Sequence, residues 1–282
     1  MAVERRAYGA PRWVGALLRA SHPEPAALVT LIAMALAGRT GRSATGVIAV
    51  GAAVAAGQLS VGWHNDWLDV SRDIAARRRD KPVANGEIST SVVRRAALIA
   101  LAATVPLSLA SGLPAAAAHV AAVLLAWAYN ARLKATAASF LPFAVSFALL
   151  VAFITLGATP SSWPSWWALG AAALLGCAAH LVNAAPDLAD DLVAGVRGLP
   201  HRLGRAASVR VALGLLVVAT ALVSFGPGRP GTVAAIALCA VVVVMGVGLV
   251  LGARPGSRWL FRSVMLVAGI DVIELVIRGG HL

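Results

Sequence analysis

Residues 45–73 read TGVIAVGAAVAAGQLSVGWHNDWLDVSRD, and this stretch decides the fold. Residues 45–64 are almost wholly apolar, and at 1.5 Å per residue about 20 residues span the roughly 30 Å hydrocarbon core of a bilayer. The run ends in Asn65, Asp66, Asp69 and Asp73. Spaced i, i+3 and i+7, the three aspartates share one helical face. The expected element is therefore a transmembrane helix that leaves the hydrocarbon carrying carboxylates.

Outward from this segment the pattern repeats. Of the 282 residues, 59% are hydrophobic and 13% charged, whereas a soluble domain has about a quarter of its residues charged. Apolar runs are expected to cross at 23–38, 45–64, 92–112, 114–131, 139–158, 165–185, 208–226, 231–252 and 259–278. Gly41, Pro114, Pro160, Pro164, Pro227, Gly228, Pro230 and Pro255 fall in or beside the connections. The expectation is an all-α, polytopic membrane protein of about nine transmembrane helices, forming one domain over residues 1–282.

The charge pattern orients it. With the N-terminus inside, 20 of the 24 lysines and arginines fall on the cytoplasmic side, and Arg39, Arg42, Arg229 and Arg278 on the other. That asymmetry obeys the positive-inside rule. The net charge of +12 comes in short runs between apolar stretches, the pattern of loop anchoring rather than of nucleic-acid binding. Cys177 and Cys239 lie in apolar runs without partner spacing, which argues against a disulfide framework or a zinc site. No cleavable leader is evident at the N-terminus. High alanine and arginine content with only Lys81 and Lys134 points to a GC-rich bacterial genome and a bacterial cell membrane.

Acidic residues number only twelve, and six form two clusters. The second is Asp187, Asp190 and Asp191, at the end of the sixth span. Asp66 and Asp69 each precede Asp187 and Asp190 by 121 residues, which suggests an internal duplication, roughly 23–135 and 139–255. Both clusters open on the same membrane side. Carboxylates this dense repel one another at a membrane boundary and call for a cation. Oxygen ligands suit Mg²⁺, which pairs one or two carboxylates with substrate phosphates and water. Two facing clusters thus imply metal ions bridged by a diphosphate. The alternative is helix-end aspartates paired with Arg72, Arg77, Arg78, Arg79 and Arg197.

Asn65-Asp66-x-x-Asp69-x-x-x-Asp73 and Asp187-x-x-x-Asp191 resemble the paired motifs of the UbiA superfamily of intramembrane prenyltransferases. The loop from Arg77 through Lys81-Pro82-Val83-Ala84-Asn85-Gly86-Glu87-Ile88-Ser89 resembles that family's basic-Pro loop. Gly195-Val196-Arg197 resembles the sequel to its second motif, and Tyr129 followed by Lys134 resembles a third feature. This chain departs from the family where many members place an arginine before the proline entering the first helix: it has His22-Pro23, with Arg19 one turn earlier. Lys81 rather than arginine precedes Pro82, and Asp190 is additional to the second motif.

The resemblance implies a UbiA-type bundle that binds Mg²⁺ through Asp66, Asp69, Asp73, Asp187 and Asp191. Asp66, Asp69, Asp187 and Asp191 would be the catalytic set. Asn65, Arg72, Arg77, Lys134 and Arg197 would bind the diphosphate. The implied reaction ionises an isoprenyl diphosphate and transfers the prenyl group to an acceptor, expected to be a small aromatic or quinone precursor. Terpene cyclisation and phosphoribosyl transfer to a polyprenyl phosphate share this metal site. A secondary transporter is the non-enzyme alternative.

Other polar residues extend the site. His180, Asn183 and Asp187 stand at i, i+3 and i+7, and Gln58 and Asn65 share a face, so pocket lining is expected. Trp63 and Trp67 flank the first cluster as pocket wall or interface anchors. Asp190 and Asp271 complete the candidates, with Glu274 one turn beyond Asp271. Trp163, Trp166 and Trp167 suit an aromatic belt.

Overall fold

The computed structural model describes residues 10–193, 195–254 and 257–278, the side chains of 10–12, 189, 190 and 193 excepted. Its helices are α1 (Ala10–Ala20), α2 (Pro23–Arg39), α3 (Ala44–Ala75), α4 (Thr90–Leu109), α5 (Leu113–Ala131) and α6 (Leu141–Leu156). There follow α7 (Trp166–Ala184), the short α8 (Leu188–Val193) and α9 (Leu199–Leu203), then α10 (Arg205–Phe225), α11 (Thr232–Gly252) and α12 (Trp259–Arg278). A single 3₁₀ turn, Leu133–Ala135, follows α5.

Each expected span coincides with one long helix. Among the described residues, α3, α4, α5, α7, α10 and α11 are long and apolar enough to cross a membrane. By contrast, α2 and α6 have only 17 and 16 residues, and α12 carries Arg262, Asp271, Glu274 and Arg278. The largest departure is in α3, which runs to Ala75 rather than stopping at 64. Its 32 residues make a rod about 48 Å long. Ser43 caps its start, accepting from Gly46 N–H at 3.2 Å.

Small residues let the helices approach closely. Ala33 and Ala37 of α2 meet Val50, Ala53 and Val54 of α3, all fully buried. Successive long helices pack on one another, α7 packs on α10, and α12 returns onto α2 to close the ring. A second core joins α7, α10, α11 and α12 around Leu181, Leu216, Val241 and Val267. Outward faces remain apolar, as with Ile236, Val242 and Val250 of α11, which suits lipid contact.

One addition to the expected scheme shapes the site. Amphipathic α1 lies against α3 and α4, with Ala16 and Ala20 buried and Trp13, Val14 and Leu18 exposed. The turn after it rests directly on Gly62, where a side chain would collide with the carbonyl of Ser21. That close approach carries the next residue, His22, onto α3.

Candidate active site

The first aspartate cluster rides the last turns of α3, where Asp66 and Asp69 meet different lysines. Asp66 is buried; one carboxylate oxygen accepts from Lys81 Nζ at 2.6 Å and lies 3.1 Å from His22 Nε2. His22 holds a left-handed backbone (φ 56°) as it enters α2. Asp69 accepts from Lys134 Nζ at 2.5 Å and from Asn65 Nδ2 at 3.1 Å, with Arg72 at 3.4 Å. Burial lowers the pKa of the Lys134 ammonium despite that partner. Asp73 is buried one turn beyond Asp69.

The second cluster faces it from α7 and α8. Asp187 accepts from Arg78 Nη1 at 3.0 Å, so the loop after α3 is tied to the far half of the bundle. Arg78 also forks onto Asp80, its Nε and Nη2 donating at 3.0 and 3.1 Å. This bidentate bond holds the Asp80 carboxyl down to about 2. Arg258, just before α12, donates to the same carboxylate at 3.0 Å. Asp191 lies 3.3 Å from His201 Nε2, and burial pushes its carboxyl up. The side chain of Asp190 lies outside the described residues.

These groups converge on one chamber of about 320 Å³. Asn65, Asp69, Arg72, Asp73, Tyr129, Lys134, His180, Asn183, Asp187 and Asp191 line it, all anticipated from sequence. Asp66 is set behind Lys81 and His22, which reach the lining instead. Below, an apolar cavity of about 240 Å³ is walled by α2, α3, α5 and α6. Gln58 lines that lower cavity, and Asn65, Tyr129 and Asn183 line both. Deeper still, Val29, Phe147 and Leu150 are shared with a third cavity of about 80 Å³. Asp271 lines it and is buried. Glu274 is instead paired with Arg278 at 2.9 Å and Ser224 at 3.0 Å.

Several expected residues stand elsewhere. Trp63 donates its indole N–H to the Leu17 carbonyl at 2.8 Å and packs beneath α1. Trp67 packs in the same cluster with the Arg94 guanidinium 5.1 Å from its ring. Neither lines these cavities, because α1 covers that face of α3. Arg77 is exposed and outside the lining: its left-handed backbone (φ 51°) turns the chain, and Arg78 enters the chamber in its place. Arg197 is also exposed and outside the lining, its carbonyl accepting from Arg202. Trp163 and Trp166 are exposed like belt residues, but Trp167 is buried against the deep cavity.

Three contributors were named in the sequence without a site role: Arg78 only as a partner of helix-end aspartates, and Lys81 and His22 only as departures from the family pattern. Arg78 and Lys81 provide the cationic contacts of Asp187 and Asp66, and the His22 imidazole lies beside Asp66. The signal for Lys81 was its place in the basic-Pro loop, and for His22 its place before Pro23. His180 was anticipated without its support: its Nε2 lies 2.9 Å from Ser139 Oγ, which also accepts from the Leu199 N–H at 2.9 Å.

Solved structures share this architecture. The apo UbiA homologue from Aeropyrum pernix K1 superposes with a TM-score of 0.73 at 16% identity, covering 90% of this chain and 98% of that one. The Archaeoglobus fulgidus homologue bound to DMAPP and Mg²⁺ gives 0.68 at 15% identity, covering 92% and 96%. A structure described as digeranylgeranylglyceryl phosphate synthase gives 0.64 at 17%, covering 94% and 97%. No curated protein sequence matches this chain. The UbiA prenyltransferase family matches over residues 26–270, from α2 to α12. The two convergent aspartate helices fall inside that match, and the chain belongs to the UbiA prenyltransferase family.

Proposed function

We propose that this integral, multi-pass membrane protein is a Mg²⁺-dependent prenyltransferase that ionises an isoprenyl diphosphate and passes the prenyl group to a small aromatic or quinone precursor. One observation carries the reading: carboxylates from the ends of two helices in different halves of the bundle meet in a cation-lined chamber that continues into an apolar cavity. A charged head and a hydrocarbon tail in one molecule match that pair of compartments.

The donor set fits Mg²⁺. Asp69, Asp73, Asp187 and Asp191 offer only hard oxygen ligands. Among the described residues no three acids or histidines are close enough to enclose an ion alone. A site completed by substrate phosphates and water is the form Mg²⁺ prefers. Bound there, the ion would neutralise charge developing on the leaving diphosphate.

The protein's own groups do the rest. Lys134, Arg72 and Arg78 line the chamber with N–H donors for diphosphate oxygens, and each already holds a carboxylate that a metal would take over. The allylic C–O bond breaks with its electron pair passing to the diphosphate. The acceptor then forms a bond to the same carbon and loses a proton. Tyr129, Asn65 and Asn183 stand at the junction of the two compartments, and the apolar walls below keep water from the cation. The positive-inside distribution supports a chamber opening to the cytoplasm.

The test is diphosphate release by protein in nanodiscs supplied with geranyl, farnesyl and geranylgeranyl diphosphates, with and without Mg²⁺, over a panel of acceptors. The expected result is Mg²⁺-dependent release and a prenylated product, both lost in Asp69→Ala and Asp187→Ala. Release that ignores Mg²⁺ and both substitutions would overturn the reading.

A further inference from the structure

The apolar cavity below the chamber holds a hydrogen-bonding pair that ionisation does not use. His119 of α5 is buried, lines that cavity, and stacks on Phe153 with ring centroids 4.6 Å apart. Ser108 Oγ of α4 lies 2.6 Å from the Thr104 carbonyl and 2.7 Å from His119 Nδ1. A carbonyl only accepts, so the single hydroxyl proton of Ser108 is committed to Thr104. Nδ1 must therefore carry the proton in the second contact and donate it to Ser108 Oγ. That assignment leaves Nε2 as a bare lone pair.

The neighbouring helix makes room for this nitrogen. A Cβ on Gly57 of α3 would stand 3.2 Å from Nε2. The next residue, Gln58, lines the same cavity. Among the described residues, neither His119 Nε2 nor the Gln58 amide has a protein hydrogen-bond partner. Two other polar groups of the lining are engaged: Ser146 donates to the Ala122 carbonyl at 2.9 Å and Asn130 to the Val61 carbonyl at 3.0 Å. Among the described residues no lysine or arginine lines this cavity, whereas Arg72, Arg78, Lys81 and Lys134 line the chamber above. Gln58 lies two helical turns from Asn65, about 10 Å deeper along α3.

We propose that His119 Nε2 and the Gln58 amide form a hydroxyl-binding subsite, and that the second substrate is an uncharged alcohol or phenol with an apolar body. Nε2 accepts the ligand's O–H, and the Gln58 NH₂ donates to the same oxygen. A carboxylate brings no proton to Nε2 and meets no lysine or arginine at this depth, so its desolvation is uncompensated. No covalent bond changes here; the pair positions the ligand. The inference rests on the prenyl-transfer reading only in naming that ligand the second substrate.

The experiment compares 4-hexylphenol, 4-hexylbenzoate and hexylbenzene binding to the full chain in nanodiscs at neutral pH, with no prenyl diphosphate present. The phenol is expected to bind about tenfold more tightly than either analogue, as one or two hydrogen bonds provide. That preference should vanish in His119→Phe, which keeps the stack on Phe153, and in Gln58→Leu. In ¹⁵N-histidine-labelled protein, the resonance lost in His119→Phe should report protonated Nδ1 and bare Nε2, and the phenol should shift the latter. Equal binding of the benzoate, absence of phenol binding, persistence of the preference in both variants, or a protonated Nε2 would each overturn the proposal. Turnover is not required, so failure here and failure of diphosphate release are separately visible.

Discussion

The two ends of the bundle solve the same electrostatic problem differently. At the chamber end, Lys81, Lys134 and Arg78 hold Asp66, Asp69 and Asp187 at 2.6, 2.5 and 3.0 Å. At the opposite end, arginines hold carbonyls. Arg42 reaches the Ile154 carbonyl at 3.2 Å near the end of α6, and Arg278 reaches the Ser224 carbonyl at 2.5 Å near the end of α10. Arg39 donates to the Leu275 carbonyl of α12 at 3.3 Å. Helix C-termini offer unsatisfied carbonyls and a negative dipole end, so these cations act as caps. Partners at the first end are carboxylates that a phosphate or a metal can exchange; at the second each arginine is anchored by a backbone carbonyl that cannot be exchanged, with Glu274 beside Arg278 and Ser111 beside Arg42 as additional side-chain partners.

The largest effect expected from this contrast is on turnover. Asp187→Asn and Asp69→Asn should lower diphosphate release by about 10²-fold or more, while the thermal midpoint stays within a few degrees. A parallel collapse of stability would erase the distinction between the ends. Next comes Arg278→Ala, which strands Glu274, a fully buried carboxylate. Breaking such a pair costs about 3–5 kcal/mol. Thermal unfolding should register that loss, with release per folded molecule near the parent value and partial rescue by Glu274→Gln.

Gly62→Val addresses the seam between α1 and α3. The added side chain must displace the turn at Ser21, which draws His22 away from Asp66. A drop in release of about tenfold with normal Mg²⁺ dependence is the expected reading in a metal titration. The smallest effect concerns Asp80, half exposed and forked by Arg78. Its carboxyl is held at about 2 in the fold, so the stabilisation is present above the ordinary carboxylate pKa near 4 and fades as pH falls from about 4 towards about 2. Solvent screening limits it to about 0.2–1 kcal/mol. A stability profile against pH should be flatter over that interval in Asp80→Asn.

Much of the molecule was legible in its sequence because hydrophobicity in a bilayer is a local property. Long apolar runs must become helices that satisfy their own backbones, and each run named became one. The convergence of Asp69, Asp73, Asp187 and Asp191 followed from helix period and shared membrane side. Residues whose roles depend on tertiary approach were not legible. Trp63 was misplaced because the docking of α1 was not foreseen. Arg77 was preferred to Arg78 because a left-handed residue at 77, not spacing, decides which guanidinium enters. His119 belongs to no spacing pattern; its tautomer follows from a serine on another helix. Arginine caps escape detection because their acceptors are backbone carbonyls, identical at every residue.

The length of α3 has a mechanical consequence. One unbroken helix carries Gln58 at the depth of the apolar cavity and Asp69 in the polar chamber. With 100° of rotation per residue, that register keys both compartments to the same side of the rod. A one-residue insertion between Ser60 and Asn65 would swing every aspartate a quarter-turn or more away from the cavity while leaving each motif letter intact. The spacing between these two segments is therefore a dimension of the enzyme, as fixed as the cut of a key.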